Sequence, residues 1–227
     1  MSWTVNISAN GVGCMVQSVI FSYAFSKLHD KVFKFTTFMG VQHETTVPKS
    51  IQFFGLDQIE PSDKDSKAIP YNMYNYEKDG VVDELITDEV MDYFRSIYRG
   101  NPETKDIIAI HIRRGDVTSK LKDRYVELER YIPIIAKFRE KYPDKPIYIV
   151  SQGSQKDFAI LGDNLHFKLG GDALESFEFM VQSSVLFIAR SSYSYLAGLY
   201  STNEVYCDLI IEPRWFCYKK LEWNTIQ

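Results

Sequence analysis

The sequence predicts an α/β protein in two halves, the second built on a parallel sheet. Three observations carry this. Between 106 and 189, short apolar runs alternate with segments of helical period, the pattern that parallel strands with crossover helices require. Residues 3–36 show a shorter version of the same order: strand, glycine turn, helix, strand. Between them Gly100-Asn101-Pro102 stops a helical stretch and marks a boundary. With 227 residues, the chain has room for one large α/β domain or two of about 100 residues each. The predicted division is 1–100, 101–213 and a C-terminal piece 214–227 packing back on the first half.

In chain order, WTVNIS at 3–8 reads as a strand. The turn NGVG at 10–13 opens a helix with Val16, Val19, Ile20, Tyr23, Ala24 and Leu28 on one face. Residues 31–36 form a second strand. From 37 to 82 turn residues interrupt short apolar pieces such as Ile51–Leu56, and no element can be placed. A helix follows from Asp83 to Tyr98, with Leu85, Ile86, Val90, Phe94 and Ile97 as its buried stripe. Strands are expected at 106–112, 146–151, 164–168 and 185–189, and helices at 123–141, 155–161, 172–183 and 191–201. An amphipathic piece, Arg214–Ile226, predicts a last helix.

Composition narrows the function. Apolar residues at 45% and charged residues at 25% exclude a disordered or fibrous chain. The net charge of −4 argues against broad nucleic-acid affinity, so an anionic ligand must be held by local donors. No apolar window approaches the roughly 18 residues of a membrane span, and no secretory leader precedes the first strand. Cys14, Cys207 and Cys217 lack the spacing of a zinc site or a disulfide framework, which predicts a cytoplasmic protein without a metal centre. Aromatics reach 15%, an amount that filled cores explain.

Ligands of open α/β sheets bind beyond the carboxyl ends of the strands. Three such ends carry coherent chemistry. The first leads into Arg113-Arg114-Gly115-Asp116, where a guanidinium can fork onto phosphate oxygens. The second gives Ser151-Gln152-Gly153. The third gives Arg190-Ser191-Ser192-Tyr193-Ser194 where a helix starts, so that hydroxyls, free N–H groups and the helix dipole all favour an anion. Taken singly, each has a structural reading: a local Arg–Asp pair, an N-cap, and for His111 a core imidazole satisfied by a backbone group. Their convergence on one sheet edge describes a phosphate cradle.

The stretch IAIHIRRGDV at 108–117 resembles the HxRRGD strand and loop of the GDP-fucose-dependent fucosyltransferases of the 1,2-, 1,6- and protein O-fucosyl groups. LFIARSSYSYLAGLYS at 186–201 is similar to their apolar strand, serine pair, aromatic and small-residue helix. NGVGCMVQSVIFSYAFSKLHDKVFKF at 10–35 is similar to their first glycine turn and helix, and the three segments lie in family order. The resemblance implies a GT-B-like fold, two Rossmann-like α/β halves facing a cleft with the N-terminal half reduced. It implies an inverting, metal-independent transfer of fucose from GDP-fucose, a substrate and not a cofactor, to a glycan hydroxyl. Carried over, Arg113 holds the β-phosphate and Arg114 supports it or the loop; Ser191, Ser192 and Tyr193 bind the phosphates from the other side. Asp172 contacts the nucleobase or supports its loop, and Gly11 and Gly13 let the first turn approach the diphosphate. His111 and Ser151 complete the donor-binding set, and Arg113 and Asp116 are the catalytic pair. The partners are then a nucleotide sugar and a glycan, with no nucleic acid.

The general base is less defined. Asp116 either serves or braces the arginine loop, the downstream carboxylate of the 1,6-group is replaced by Leu121 or Lys122, and Asp123 and Glu44 are further candidates. Asp63-Lys64-Asp65 matches a metal-binding signature but lies in a polar loop, a solvated charge run. Glu204 and Glu212 match a glutamate-pair spacing that chance yields about four times with 30 acidic residues. Two alternatives stand beside fucosyl transfer: a related transferase with another nucleotide sugar, and a non-catalytic nucleotide- or glycan-binding domain.

Overall fold

The structure is a computed structural model, describing residues 2–5, 10–42, 46–69, 85–101, 103–117, 125–207 and 224–225. The chain divides into two units, Met1–Gly100 with Glu212–Glu222 and Asn101–Ile211 with Trp223–Gln227. Among the described residues, no helix is long and apolar enough to cross a membrane.

The first unit contains β1 (Ser2–Thr4), β2 (Asn10–Gly11), α1 (Val12–Leu28), β3 (Val32–Lys34), β4 (Val41–Gln42), α2 (Val47–Phe53), β5 (Lys67–Ala68) and α3 (Asp88–Ile97). β1 is the middle strand of a parallel sheet ordered β3-β1-β5, and β2 pairs with β4. Helix α1 buries Val16, Val19, Ile20 and Ala24, as its period predicts. It is also buried on neighbouring faces, through Met15, Gln17 and Phe21, so its apolar stripe is wider than the sequence pattern suggests. Its last turn runs out of the core: Leu28, expected on the buried face, is 56% exposed.

Region 37–82, which gives no period, contains α2 and two-residue strands. Thr46 caps α2 by accepting from the Lys49 N–H, and Gly55 ends it at φ +66. A Cβ on Gly55 would lie 1.8 Å from the Ile97 carbonyl, so glycine permits the ends of α2 and α3 to meet. Helix α3 starts at the Thr87 cap and buries Val90, Met91, Phe94 and Ile97; the predicted start at Asp83 lies outside the described residues.

The second unit contains β6 (Lys105–His111), α4 (Tyr131–Lys141), β7 (Ile147–Ser151), β8 (His166–Leu169), α5 (Ala173–Gln182), β9 (Ser183–Ile188), α6 (Ser192–Tyr200), β10 (Glu204–Cys207) and β11 (Asn224–Thr225). Its sheet is ordered β11-β10-β9-β6-β7-β8, with every pairing parallel. Counted within the unit this is the order 3-2-1-4-5-6 of Rossmann-like sheets. One core joins Ile108, Ile110 and Ile112 to Ile147, Ile149, Val185 and Phe187, and packs them on Tyr131, Ile134, Ile135 and Phe138 around α4. Each such side chain, fully buried, contributes about 1.5–3 kcal/mol. Helices α5 and α6 pack on each other and on β9.

The structure differs from the sequence reading at four elements. The helix expected from 123 begins at Tyr131, after a 3-10 turn over Leu128–Arg130. The one at 155–161 is a 3-10 helix, started by Asp157 accepting the Ser154 N–H at 2.7 Å. β10 was not foreseen, and most of the expected helix 214–226 falls outside the described residues. Where that helix was to continue, Asn224 and Thr225 pair with Tyr206 and Cys207 as a strand. This pairing satisfies backbone groups along an otherwise open sheet edge.

Candidate functional site

In the 3-2-1-4-5-6 order, strands 1 and 4 are neighbours whose connections leave in opposite directions, which opens a crevice at their carboxyl ends. Here those strands are β6 and β9, paired through Ala109↔Leu186 and Ile110↔Phe187. β6 runs into the arginine turn and β9 into the start of α6. β7, on the other side of β6, ends at Ser151.

The two arginines are held differently. Arg113 donates from Nε to Asp116 Oδ1 at 3.2 Å and from Nη2 to Asp116 Oδ2 at 2.6 Å. That pair uses one edge of the guanidinium. The other edge, Nη1 with the second Nη2 proton, has no partner among the described residues, and the side chain keeps 14% of its exposure. Arg114 donates to the Arg113 carbonyl and to the Val126 carbonyl, both at 2.8 Å, and its Cζ lies 4.2 Å from the Tyr125 ring centroid. Arg114 therefore closes the loop on itself, while Arg113 is aimed by its carboxylate. Gly115, at φ +81, makes the turn between them possible.

His111 is buried on the face of β6 opposite the isoleucines, with its ring 5.9 Å from Tyr193. The backbone partner expected for it is missing at Nδ1, which has no hydrogen bond among the described residues. Burial, followed by the positive charge of Arg113 and partly offset by Asp116, pushes its pKa down to about 3. The imidazole is thus neutral at physiological pH. A buried nitrogen left without a partner costs about 1–3 kcal/mol.

Ser191 caps α6 by accepting from the Tyr193 N–H at 3.3 Å. Ser194 Oγ lies 3.2 Å from both the N–H and the carbonyl oxygen of Ala189, which fixes the strand-to-helix corner. The Tyr193 hydroxyl, expected on a phosphate, donates instead to the Ala173 carbonyl, and its ring stands 6.0 Å from Phe177. Tyr193 thereby ties α6 to the start of α5. Ser192 occupies the first position of α6, half-buried, and the first turn carries no acidic residue that would repel an anion.

The remaining candidates have mixed placements. Ser151 is buried and donates to the Ile112 carbonyl at 2.6 Å, bracing the ends of β7 and β6. Asp172 caps α5, Oδ1 accepting from the Leu174 N–H at 2.7 Å, next to the Ala173–Tyr193 contact. Asp116 spends both carboxylate oxygens on Arg113. Gly11 and Gly13 belong to the first unit: Gly11 is the N-cap of α1 at φ −64, and Gly13 is buried in its first turn. Glu44 and Asp123 lie outside the described residues. Asp63 is a loop residue bound to Lys34 at 2.7 Å, and Lys34 holds its pKa down at about 2. Glu204 sits at the amino end of β10, taking hydrogen bonds from Tyr142 and Tyr206, far along the strand from the carboxyl edge. No cluster of His, Cys, Asp and Glu suited to a metal ion occurs among the described residues.

Two contacts at this edge have no local sequence signal: Tyr125 under Arg114, and Gln152 against Gly115. The first is made within the connection from β6 to α4, and the second joins the ends of β6 and β7, which pair in the sheet. The fold and site define a Rossmann-like α/β protein with donors gathered at its switch point. No protein-family model matches the chain, and no curated protein matches it in sequence.

Proposed function

We propose that the chain is a glycosyltransferase that moves L-fucose from GDP-fucose to a glycan hydroxyl. The observation that carries this reading is the placement of two motifs. HIRRGD and RSSYS, separate in sequence, end adjacent strands on either side of the switch point. Breaking the sugar–phosphate bond builds positive charge on the sugar and negative charge on the leaving GDP. The open edge of Arg113 and the N-terminus of α6 would meet that negative charge with donors already oriented, so the arginine takes the part a metal ion plays elsewhere. Asp116 orients Arg113, Arg114 holds the loop, and neutral His111 packs behind the turn against Tyr193. In this reading the acceptor is deprotonated by Glu44 or Asp123, or without a dedicated base.

A second reading is favoured by one observation: with both Asp116 oxygens bound to Arg113, the site can hold a nucleotide diphosphate without turning it over. Thermal shifts with GDP, GDP-fucose, GDP-mannose, UDP and UDP-glucose, with and without EDTA, test both. Ligand at about 100 times its dissociation constant adds about 2.7 kcal/mol of stability. The proposal expects EDTA-insensitive stabilisation by guanine nucleotides, lost in Arg113→Ala, and fucose transfer in an acceptor screen. Stabilisation without transfer or donor hydrolysis supports the binding domain, a UDP preference moves the function to another sugar, and no response sinks the transferase.

A further inference from the structure

The carboxyl end of β7 supplies a polar group that the reading above leaves unused. A Cβ built on Gly115 would lie 1.8 Å from Gln152 Oε1 and 2.7 Å from its Cδ, so the carboxamide rests directly on the Cα of the arginine turn. Oε1 and Cδ are the side-chain atoms nearest that Cβ position, ahead of Nε2. The side chain is half-buried, and its amide makes no hydrogen bond among the described residues. The strand end that carries it is braced by the preceding Ser151, buried and bonded to the Ile112 carbonyl just before Arg113. An amide thus stands beside the turn that aims Arg113, on the side away from α6.

We propose that Gln152 Nε2 donates a hydrogen bond to the same terminal phosphate that Arg113 holds. It would make the β7 loop the third arm of the site. A neutral donor suits this position, because the guanidinium already supplies the charge and Asp116 already balances it. Gly115 then has two duties: it adopts φ +81, and it leaves the space in which the amide lies. The inference rests on the nucleotide-diphosphate reading and deepens it.

Calorimetric titration of the full chain with GDP and with GMP tests the contact. Gln152→Met keeps the length and removes the donor; its affinity for GDP should fall about tenfold while that for GMP is unchanged. Gln152→Glu, which turns a carboxylate toward the phosphate, should lose about a hundredfold for GDP. Gln152→Asn keeps the donor on a shorter arm, should retain part of the affinity, and keeps the test decisive if the methionine variant does not fold. Wild-type affinity for GDP in Gln152→Met overturns the proposal and leaves the nucleotide reading intact. Equal losses for GDP and GMP also overturn it, because they assign Gln152 to the shape of the turn. A wild-type chain that binds no GDP overturns both.

Discussion

The two units use the same parallel strand–helix–strand plan with strands of different length. In the first, strands run two or three residues, and the middle one, Ser2–Thr4, buries only Thr4. In the second, β6 runs seven residues and buries its last four, and β9 buries five of its six. A seven-residue strand buried on both faces can anchor helices on each side and still project a turn of fixed geometry from its end. A three-residue strand cannot. The difference locates the polar machinery: the arginine turn, the capped α6 and the β7 loop all spring from the long strands.

Core truncation should show the contrast most strongly. Phe187→Ala, on the central β9 against Tyr131 and Phe138, is expected to cost about 3–5 kcal/mol in urea unfolding. Phe94→Ala in α3, bordered by the half-buried Tyr23 and Tyr93, should sit at the lower end of that range because its neighbours can close on the cavity. Equal costs would break the comparison.

Acid should separate the units next. His111 titrates near 6.5 when unfolded and near 3 when folded, so the unfolded chain takes up its proton first as the pH falls. Its stabilisation is complete above pH 6.5 and is lost progressively down to pH 3, by several kcal/mol. His111→Asn should flatten that window. Asp63 in the first unit behaves in the same sense over a lower window: its contribution is present above pH 3.8 and is lost as the pH falls through about 2. Being exposed, it should fade with added salt, which a pH series of unfolding curves at two ionic strengths would detect.

A glycine pair isolates the β7 contact. Gly115 and Gly171 share φ +81, but a Cβ on Gly171 meets nothing within 4 Å. Gly171→Ala should cost about 1 kcal/mol in urea unfolding from backbone strain alone, and Gly115→Ala about 2–3 kcal/mol because Gln152 must also move. The smallest effects are expected at the caps. Thr87→Ala and Asp172→Ala should each cost about 1 kcal/mol by the same measurement, one in each unit. Asp172→Asn keeps the cap, so a fall in GDP affinity in that variant would assign Asp172 a nucleobase contact as well.

Legibility followed strand length. The apolar runs of β6, β7 and β9 stand out because burial on both faces demands uninterrupted apolar residues. The pieces between 37 and 69 do not, since two-residue strands leave no period and Thr46 and Gly55 act through single caps and contacts. β10 was missed although Val205 and Tyr206 carry strand-forming side chains, because four residues are too few to outweigh a neighbouring helix. At the site, residue types and loop positions could be read, but their division of labour could not. Nothing in the string Arg-Arg-Gly-Asp says that Arg114 turns back to Val126 while Arg113 faces Asp116, or that Tyr193 gives its hydroxyl to Ala173.

The pairing of β6 with β9 also orders events in time. Strands β7 and β8, with α4 and α5, lie between them in the chain, so joining them closes the longest loop among the central strands, a slow step by its entropy. The crevice does not exist until that step is done. In a refolding experiment followed by nucleotide binding, ligand capture should therefore appear only with the final phase, after helix signal has already returned.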